Sequence, residues 1–238
     1  MSTTEATASD SLDSFFRGAF SIDIVLITYH EKRLKILIQD KKGIPFDDEL
    51  GLPGKLILPN EDADKALDKF MTSLIGHCDF YKKQLRTFSE IGRHPLGRII
   101  TFAYYGLIPY EKLSQEISKE VRWCDIDSLP ELSLDHNHIV REVLKRFKKG
   151  LVRHPIVFNT LSSKFILPEI IAVYEQTFKQ DLDAPNFRKK ILSSGLVRPL
   201  GEFRKTTKGI GRPAELYTMN SLENKKSLKD RIHFNFFD

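Results

Sequence analysis

The sequence has little cysteine and no long apolar run. Its two cysteines, Cys78 and Cys124, lie far apart without a C-x-x-C or histidine partner, which excludes a disulfide framework and predicts no metal site or cofactor. No apolar stretch approaches the roughly 20 residues that span a bilayer. Residues 1–15 lack the basic start and apolar centre of a secretory signal and are predicted to be a disordered lead-in. These absences predict a protein of the reducing cytoplasm.

Acidic and basic residues are unevenly distributed. Residues 1–150 carry 22 Lys and Arg against 23 Asp and Glu, whereas residues 151–238 carry 15 against 9. The whole net charge of +5 therefore comes from the C-terminal part. This asymmetry predicts a nearly neutral domain over residues 16–150, joined near Gly150 to a basic domain over residues 151–238 whose charge suits nucleic acid.

Apolar periodicity predicts an α+β protein whose N-terminal part is an α/β/α sandwich with a mixed sheet. Residues 21–38 alternate in two runs around charged residues 30–33, which is typical of a β-hairpin. Further strands are predicted over residues 85–91, 98–107 and 121–124. One helix is predicted from residue 63 to Gly76 with Asp62 or Asp64 as its cap, and another over residues 134–149, ending at Gly150.

The C-terminal part has the pattern of a winged helix-turn-helix. Helices are predicted over residues 168–179 and 185–194, followed by strands over residues 196–200 and 214–219 and a basic, Gly-rich wing over residues 201–213. Asn and Arg can read base edges and Lys can neutralise phosphates. An ordinary solvated basic surface is the alternative. The predicted DNA-binding residues are Asn186, Arg188, Lys189, Lys190, Arg204, Lys205, Lys208 and Arg212.

Residues 52–76 resemble the Nudix box, G-x5-E-x7-R-E-U-x-E-E-x-G-U, with which Nudix hydrolases hold a divalent metal over a diphosphate. Glu61 and Gly76 keep its register, but Lys55 replaces its first glycine, and the metal-binding carboxylates are replaced by Phe70, Ser73 and Leu74. Mg²⁺ requires hard oxygen ligands in near-octahedral geometry, which these side chains do not provide. The resemblance therefore implies a domain without catalytic residues. The retained residues could equally serve loop geometry alone.

A turn between two predicted strands offers a second binding element. Arg93, His94 and Arg98 combine two guanidinium groups with an imidazole, which suits phosphate or sugar hydroxyls. A simple charged hairpin turn is the alternative. Together with Lys55 and Glu61, these three residues form the predicted effector-binding set.

The chain resembles the Nudix-related transcriptional regulators of bacteria from about residue 18 onward. The resemblance rests on the degenerate box, on Arg93-x-Pro95-x-Gly97-Arg98 and on the C-terminal segments 186–190 and 211–217. That family includes repressors of nicotinamide cofactor biosynthesis, which respond to ADP-ribose-type ligands, and regulators that respond to arabinose. The resemblance implies a homodimer that binds a palindromic operator in double-stranded DNA and senses a pentose, sugar phosphate or ADP-ribose-type effector.

Two other functions remain open at the level of sequence. A Nudix-type pyrophosphohydrolase with an appended nucleic-acid-binding module would need acids outside the lost positions to assemble a metal site, such as Asp47, Asp48, Glu49 or Glu61. An architectural DNA-binding protein without a sensor function would show no ligand-dependent change in DNA affinity. The leading interpretation is an effector-sensing transcription factor.

Overall fold

A computed structural model of the protein describes residues 18–43, 49–114, 117–205 and 213–220. The predicted lead-in, the wing residues Lys208 and Arg212 and the acids Asp47 and Asp48 lie outside these ranges. Within them, the N-terminal part is a mixed sheet with helices on both faces, and the C-terminal part is a winged helix, which confirms the predicted fold class. None of the helices in these ranges is long and apolar enough to cross a membrane.

The sheet is built around one strand whose middle eight residues are buried. β1 lies between β2 and β6 in the order β3-β2-β1-β6-β5, while β4 pairs with β1 and β7 with β2. Only β1 and β6 are parallel, so the sheet is mixed as predicted. Its strands are β1 (Ala19–His30), β2 (Arg33–Lys41), β3 (Glu49–Gly51), β4 (Gly54–Leu56), β5 (Tyr81–Phe88), β6 (Ile99–Leu107) and β7 (Val121–Asp125).

The predicted hairpin is confirmed, and its turn is tight. Glu31 and Lys32 both have positive φ, 51° and 62°, which is the backbone of a two-residue type I′ turn. This turn closes the antiparallel pairing of β1 with β2.

β5 begins and ends earlier than the predicted range of residues 85–91. It is an edge strand with many exposed side chains, so its sequence YKKQLRTF shows no alternation of apolar and polar residues.

Two helices cover the opposite faces of the sheet. α1 (Ala63–Ile75) begins as predicted at Asp62, whose side chain accepts from the backbone of Asp64 and Lys65, and it ends at Gly76 with φ 81°. α2 (His136–Arg153) is longer than predicted. The prediction that it ends at Gly150 is wrong. This glycine packs closely against Ile156, since a Cβ there would lie 2.4 Å from Cδ1 of that side chain.

The C-terminal unit has the predicted order of two helices and two strands. These are α3 (Leu167–Phe178), α4 (Ala184–Ser193), β8 (Val197–Arg204) and β9 (Ala214–Met219). β8 extends four residues beyond its predicted end, so residues 201–204 belong to a strand and not to the connecting loop. Gly201, with φ 70°, and the irregular register between Pro199 and Phe203 hide this strand from a periodicity pattern.

One hydrophobic core connects the two units. The face of the sheet that carries Val25 and Ile36 packs with α2, and the same cluster continues through Phe165 into the helices of the C-terminal unit. The other face forms a separate core with α1. The winged helix is therefore packed against the N-terminal domain by buried apolar contacts, which provide a route for mechanical coupling.

Candidate functional site

The second helix of the winged unit presents a basic outer surface. Asp183 caps the N-terminus of α4 by accepting from the backbone N–H of Asn186, and Phe187 and Ile191 face the core. Arg188 and Lys189 are exposed, whereas Asn186 and Lys190 are half-buried. The four residues predicted from the sequence thus lie on one helix, and two of them are exposed.

Arg188 is held by residues of β9. Its guanidinium lies 3.6 Å from a carboxylate oxygen of Glu215 and 5.9 Å from the ring centroid of Tyr217. Tyr217 in turn donates its hydroxyl to Glu215. These contacts restrict the rotamers of a long side chain, so Arg188 is positioned before any ligand arrives.

The predicted wing residues that the structure describes, Arg204 and Lys205, have different surroundings. Arg204 turns toward α3, where it pairs with Glu169 at 2.6 Å and donates to the carbonyl oxygen of Lys164. Lys205 is exposed next to it. Lys208 and Arg212 lie outside the described residues. Arg204 therefore braces the wing strand as well as carrying positive charge, a role that sequence spacing did not reveal.

Two residues of the degenerate box, Lys55 and Glu61, form an ion pair with each other. Lys55 pairs with Glu61 at 2.8 Å, and Glu61 also accepts from the backbone N–H of Leu58. Both interactions lower the pKa of the Glu61 carboxyl, with the bond from Lys55 as the largest cause. Leu74 is buried in the core beside α1, and Phe70 packs against that core. Among the described residues, no group of three or more His, Cys, Asp or Glu side chains is placed to hold a metal ion.

Arg93 belongs to a different part of the domain. Its guanidinium, only 5% exposed, forms a bidentate pair with Asp135, with distances of 2.6 and 3.0 Å, and also donates to the hydroxyl of Thr101. Lys55 lies opposite Ile22 on β1, on the face covered by α1. The predicted effector set is therefore split between the two faces of the sheet, with Arg93 and His94 on the side of α2.

Next to Arg93 lies a buried polar cluster that the sequence analysis did not identify. Asp23 on β1 lies 3.8 Å from the imidazole of His136, whose other nitrogen accepts from the backbone N–H of Leu52. The ammonium of Lys41 donates to the carbonyl oxygen of Gly54 at 3.1 Å. Asp23 interrupts an otherwise apolar strand, and this interruption was the available signal. We call Asp23, Lys41, Arg93, Asp135 and His136 the polar cluster.

Burial shifts the proton affinities of the polar cluster. It raises the pKa of Asp23 to about 6, against a smaller lowering effect of Lys41, and it lowers the pKa of His136 to about 3. Burial also lowers the pKa of the Lys41 ammonium. Buried titratable groups at the N-terminus of a helix are costly, and such perturbed groups concentrate at functional sites.

The two large shifts predict opposite pH dependences in two variants. In Asp23→Asn, the unfolded chain takes up a proton at His136 below pH 6.5 while the folded protein does not, so stability is lost as the pH falls toward 3. In His136→Gln, the raised pKa of Asp23 stabilises the fold fully below pH 3.8, and this contribution is lost as the pH rises through 6, by about 3 kcal/mol. Urea unfolding between pH 4 and 7 checks this; parallel curves for the two variants would contradict it.

Comparisons with known proteins identify relatives of both domains. Residues 157–219 match the model of the NrtR DNA-binding winged helix domain. The ADPR responsive transcriptional repressor NtrR of Acinetobacter baylyi is 22% identical over 203 residues, 83% of this chain and 80% of that protein. An ADP-ribose pyrophosphatase of Methanocaldococcus jannaschii is 29% identical over 137 residues, 57% of this chain and 78% of that enzyme.

A solved structure matches the whole arrangement. The crystal structure of Shewanella oneidensis NrtR complexed with a 27mer DNA has a TM-score of 0.74 and 26% identity, covering 84% of this chain and 93% of that chain. The agreement therefore includes the Nudix-like sheet, the winged helix and their order along the chain. This chain is therefore similar over both domains to the Nudix-related transcriptional regulators.

Proposed function

We propose that this protein is a sequence-specific DNA-binding repressor whose Nudix-like domain senses an ADP-ribose-type metabolite. The observation that carries this proposal is the agreement in fold and domain order with a regulator solved on DNA. The similarity to the Acinetobacter protein, an ADPR responsive repressor, favours ADP-ribose over the pentoses and sugar phosphates that the sequence left open. Such a protein works in the cytoplasm, where its DNA lies.

The DNA surface that we propose consists of α4 and the wing. Arg188 and Asn186 suit base edges in the major groove, and Lys189, Lys190 and Lys205 suit phosphates. Arg204, Lys208 and Arg212 complete the proposed wing. A homodimer would place two α4 helices on a palindromic operator with half-sites about one DNA turn apart.

The effector site that we propose lies at the polar cluster. Lys41, Arg93 and His94 can supply positive charge or donors for a diphosphate, and the buried hydroxyl of Ser133 has no hydrogen-bond partner among the described residues. Lys55 and Glu61 pair with each other, and Arg98 donates to the carbonyl of Ser89. They are therefore secondary members of the proposed site.

α2 connects the proposed effector site to the winged helix. It begins at Asp135 and His136 in the polar cluster and runs for 18 residues, about 27 Å. At its other end, Leu151 is fully buried, and its carbonyl accepts from the hydroxyl of Tyr174 on α3. An effector that binds one position of α2 more tightly than another would shift the spacing of the two α4 helices in a dimer.

The pyrophosphohydrolase alternative draws support from the archaeal relative. It requires a metal site, and Glu61, the retained glutamate of the box, is already occupied by Lys55 and the backbone of Leu58. Two positions that carry metal ligands in the box hold Phe70 and Leu74, which pack into or against the core. We therefore propose that the domain binds its ligand without hydrolysing it.

Salt dependence tests the DNA-binding part of the proposal. If each protomer neutralises about three phosphates, the logarithm of the affinity for a promoter fragment upstream of its own gene should fall against the logarithm of salt with a slope of about −5. Fluorescence anisotropy of a labelled duplex, titrated at salt concentrations from about 50 to 300 mM, measures this slope. Salt-insensitive binding, or no binding to promoter DNA, would refute the proposal.

A further inference from the structure

A cleft of about 700 Å³ lies between the Nudix-like domain and the winged helix. The turn between β1 and β2 forms one side, and the beginning of α3 with the base of the wing forms the other. Its walls are mainly apolar and include Tyr29, Tyr110, Leu161, Ile166 and Ala172. A cavity of this size at a domain junction is typical of small-molecule sites.

The acidic residues of the cleft are already engaged. Glu31 pairs with Lys35, and Glu111 accepts from the backbone N–H of Ser163. Glu169 pairs with Arg204 and also accepts from the backbone N–H at the start of α3. The charges of Glu31 and Glu169 are therefore compensated by basic neighbours, and the carboxylate of Glu111 is held by a backbone N–H.

Two lysines of the cleft are not engaged in this way. Lys32 comes from the β1–β2 turn and Lys205 from the wing, and neither has an ion-pair partner in the part of the chain that the structure describes. An apolar cleft with two uncompensated ammonium groups favours an anion that carries an apolar or planar body. A phosphate ester is such a ligand, because its oxygens accept several charge-assisted hydrogen bonds.

The two sides of the cleft are held together before any ligand binds. Gln176 on α3 accepts from the backbone N–H of Leu34 at 2.8 Å and donates to the carbonyl of Lys32 at 2.9 Å. These bonds fix the β1–β2 turn against the winged helix. A ligand in the cleft therefore meets a preformed site, which reduces the entropy cost of binding.

We propose that this cleft binds an organic monophosphate of mononucleotide size, with its phosphate at Lys32 and Lys205. This site is separate from the polar cluster, with which it shares no lining residue. Bound phosphate would take Lys205 away from DNA and compete with Glu169 for Arg204. Monophosphate and DNA would therefore weaken each other's binding by the same factor.

AMP is a suitable probe, and adenosine is its uncharged control. Calorimetric titration is done on the full chain without DNA and in the presence of excess ADP-ribose, which occupies the sensor site. AMP should bind, and adenosine should bind at least about tenfold more weakly, since it lacks the charged group. Equal binding of both ligands, or no binding of AMP at millimolar concentration, overturns the proposal.

Substitutions locate the site. Lys32→Ala and Lys205→Ala should each weaken AMP binding about fivefold, whereas Lys65→Ala, which removes an exposed lysine of α1 outside the cleft, should not change it. Glu169→Gln should strengthen AMP binding several-fold, because it removes a carboxylate and frees Arg204 while glutamine still caps α3. Unchanged affinity in Lys32→Ala and Lys205→Ala, or an equal loss in Lys65→Ala, overturns the proposal.

Discussion

Replacing Arg188 and Lys189 together by alanine should weaken operator binding by about 30-fold or more, since the base contact alone contributes roughly 1–3 kcal/mol and the phosphate contact adds to it. Both side chains are exposed on α4, while the buried side of this helix is formed by Phe187 and Ile191. The double variant should therefore fold normally. Anisotropy titration of a labelled promoter fragment measures the loss.

The matched control is the Lys65→Ala variant. A thermal melt of this variant and of the double variant checks that both proteins are folded. Lys65 is exposed on α1, far from the winged helix in the fold. Its removal changes the net charge but should leave operator affinity within about twofold, because long-range charge effects are screened by salt. Equal losses in Lys65→Ala and in the double variant would mean that α4 does not form the DNA surface.

Gly54→Ala should destabilise the protein by about 3 kcal/mol, the upper end of the usual cost of overpacking. A Cβ at this position would lie 1.9 Å from a carboxylate oxygen of Asp23 and 2.6 Å from the carbonyl oxygen of Ile22. The second contact is with the backbone of the central strand, so rotation of the Asp23 side chain does not relieve it. Chemical denaturation measures the effect.

Gly18→Ala provides the control for that substitution. The nearest atoms to a Cβ there belong to Arg98, at 3.7 Å, and the φ of Gly18 is not in the left-handed region. Its stability should change by less than about 0.5 kcal/mol. If the Gly54→Ala variant is as stable as the Gly18→Ala variant, then Gly54 does not pack closely against Asp23.

Local sequence patterns predicted most elements of this fold but not the short strands β3 and β4. The hairpin around Glu31 and Lys32 was predicted from alternation, and α1 from helical spacing, with Asp62 as one of its two candidate caps. These features depend on residues that are near in sequence. The end of α2 was missed because Gly150 is a helix-stop signal by type, while its actual role depends on Ile156 packing beside it.

The contacts that build the sites depend on residues far apart in sequence. Arg93 meets Asp135 across 42 residues, and Arg204 meets Glu169 across 35. Periodicity carries no information about such pairs, since they depend on strand order and on the packing of α2 and α3. Asp23 was visible as an acid inside an apolar strand, but its partners His136 and Lys41 were not.

The most direct test of the central claim follows DNA affinity and effector integrity in one reaction. The protein, labelled promoter DNA, Mg²⁺ and ADP-ribose are incubated together, anisotropy reports DNA binding, and chromatography then reports the nucleotide. We predict that ADP-ribose weakens operator affinity about tenfold, within the usual range of allosteric coupling, and that it is recovered intact. Unchanged affinity, or release of AMP that is lost in Glu61→Gln, would contradict a sensor that binds its ligand without destroying it.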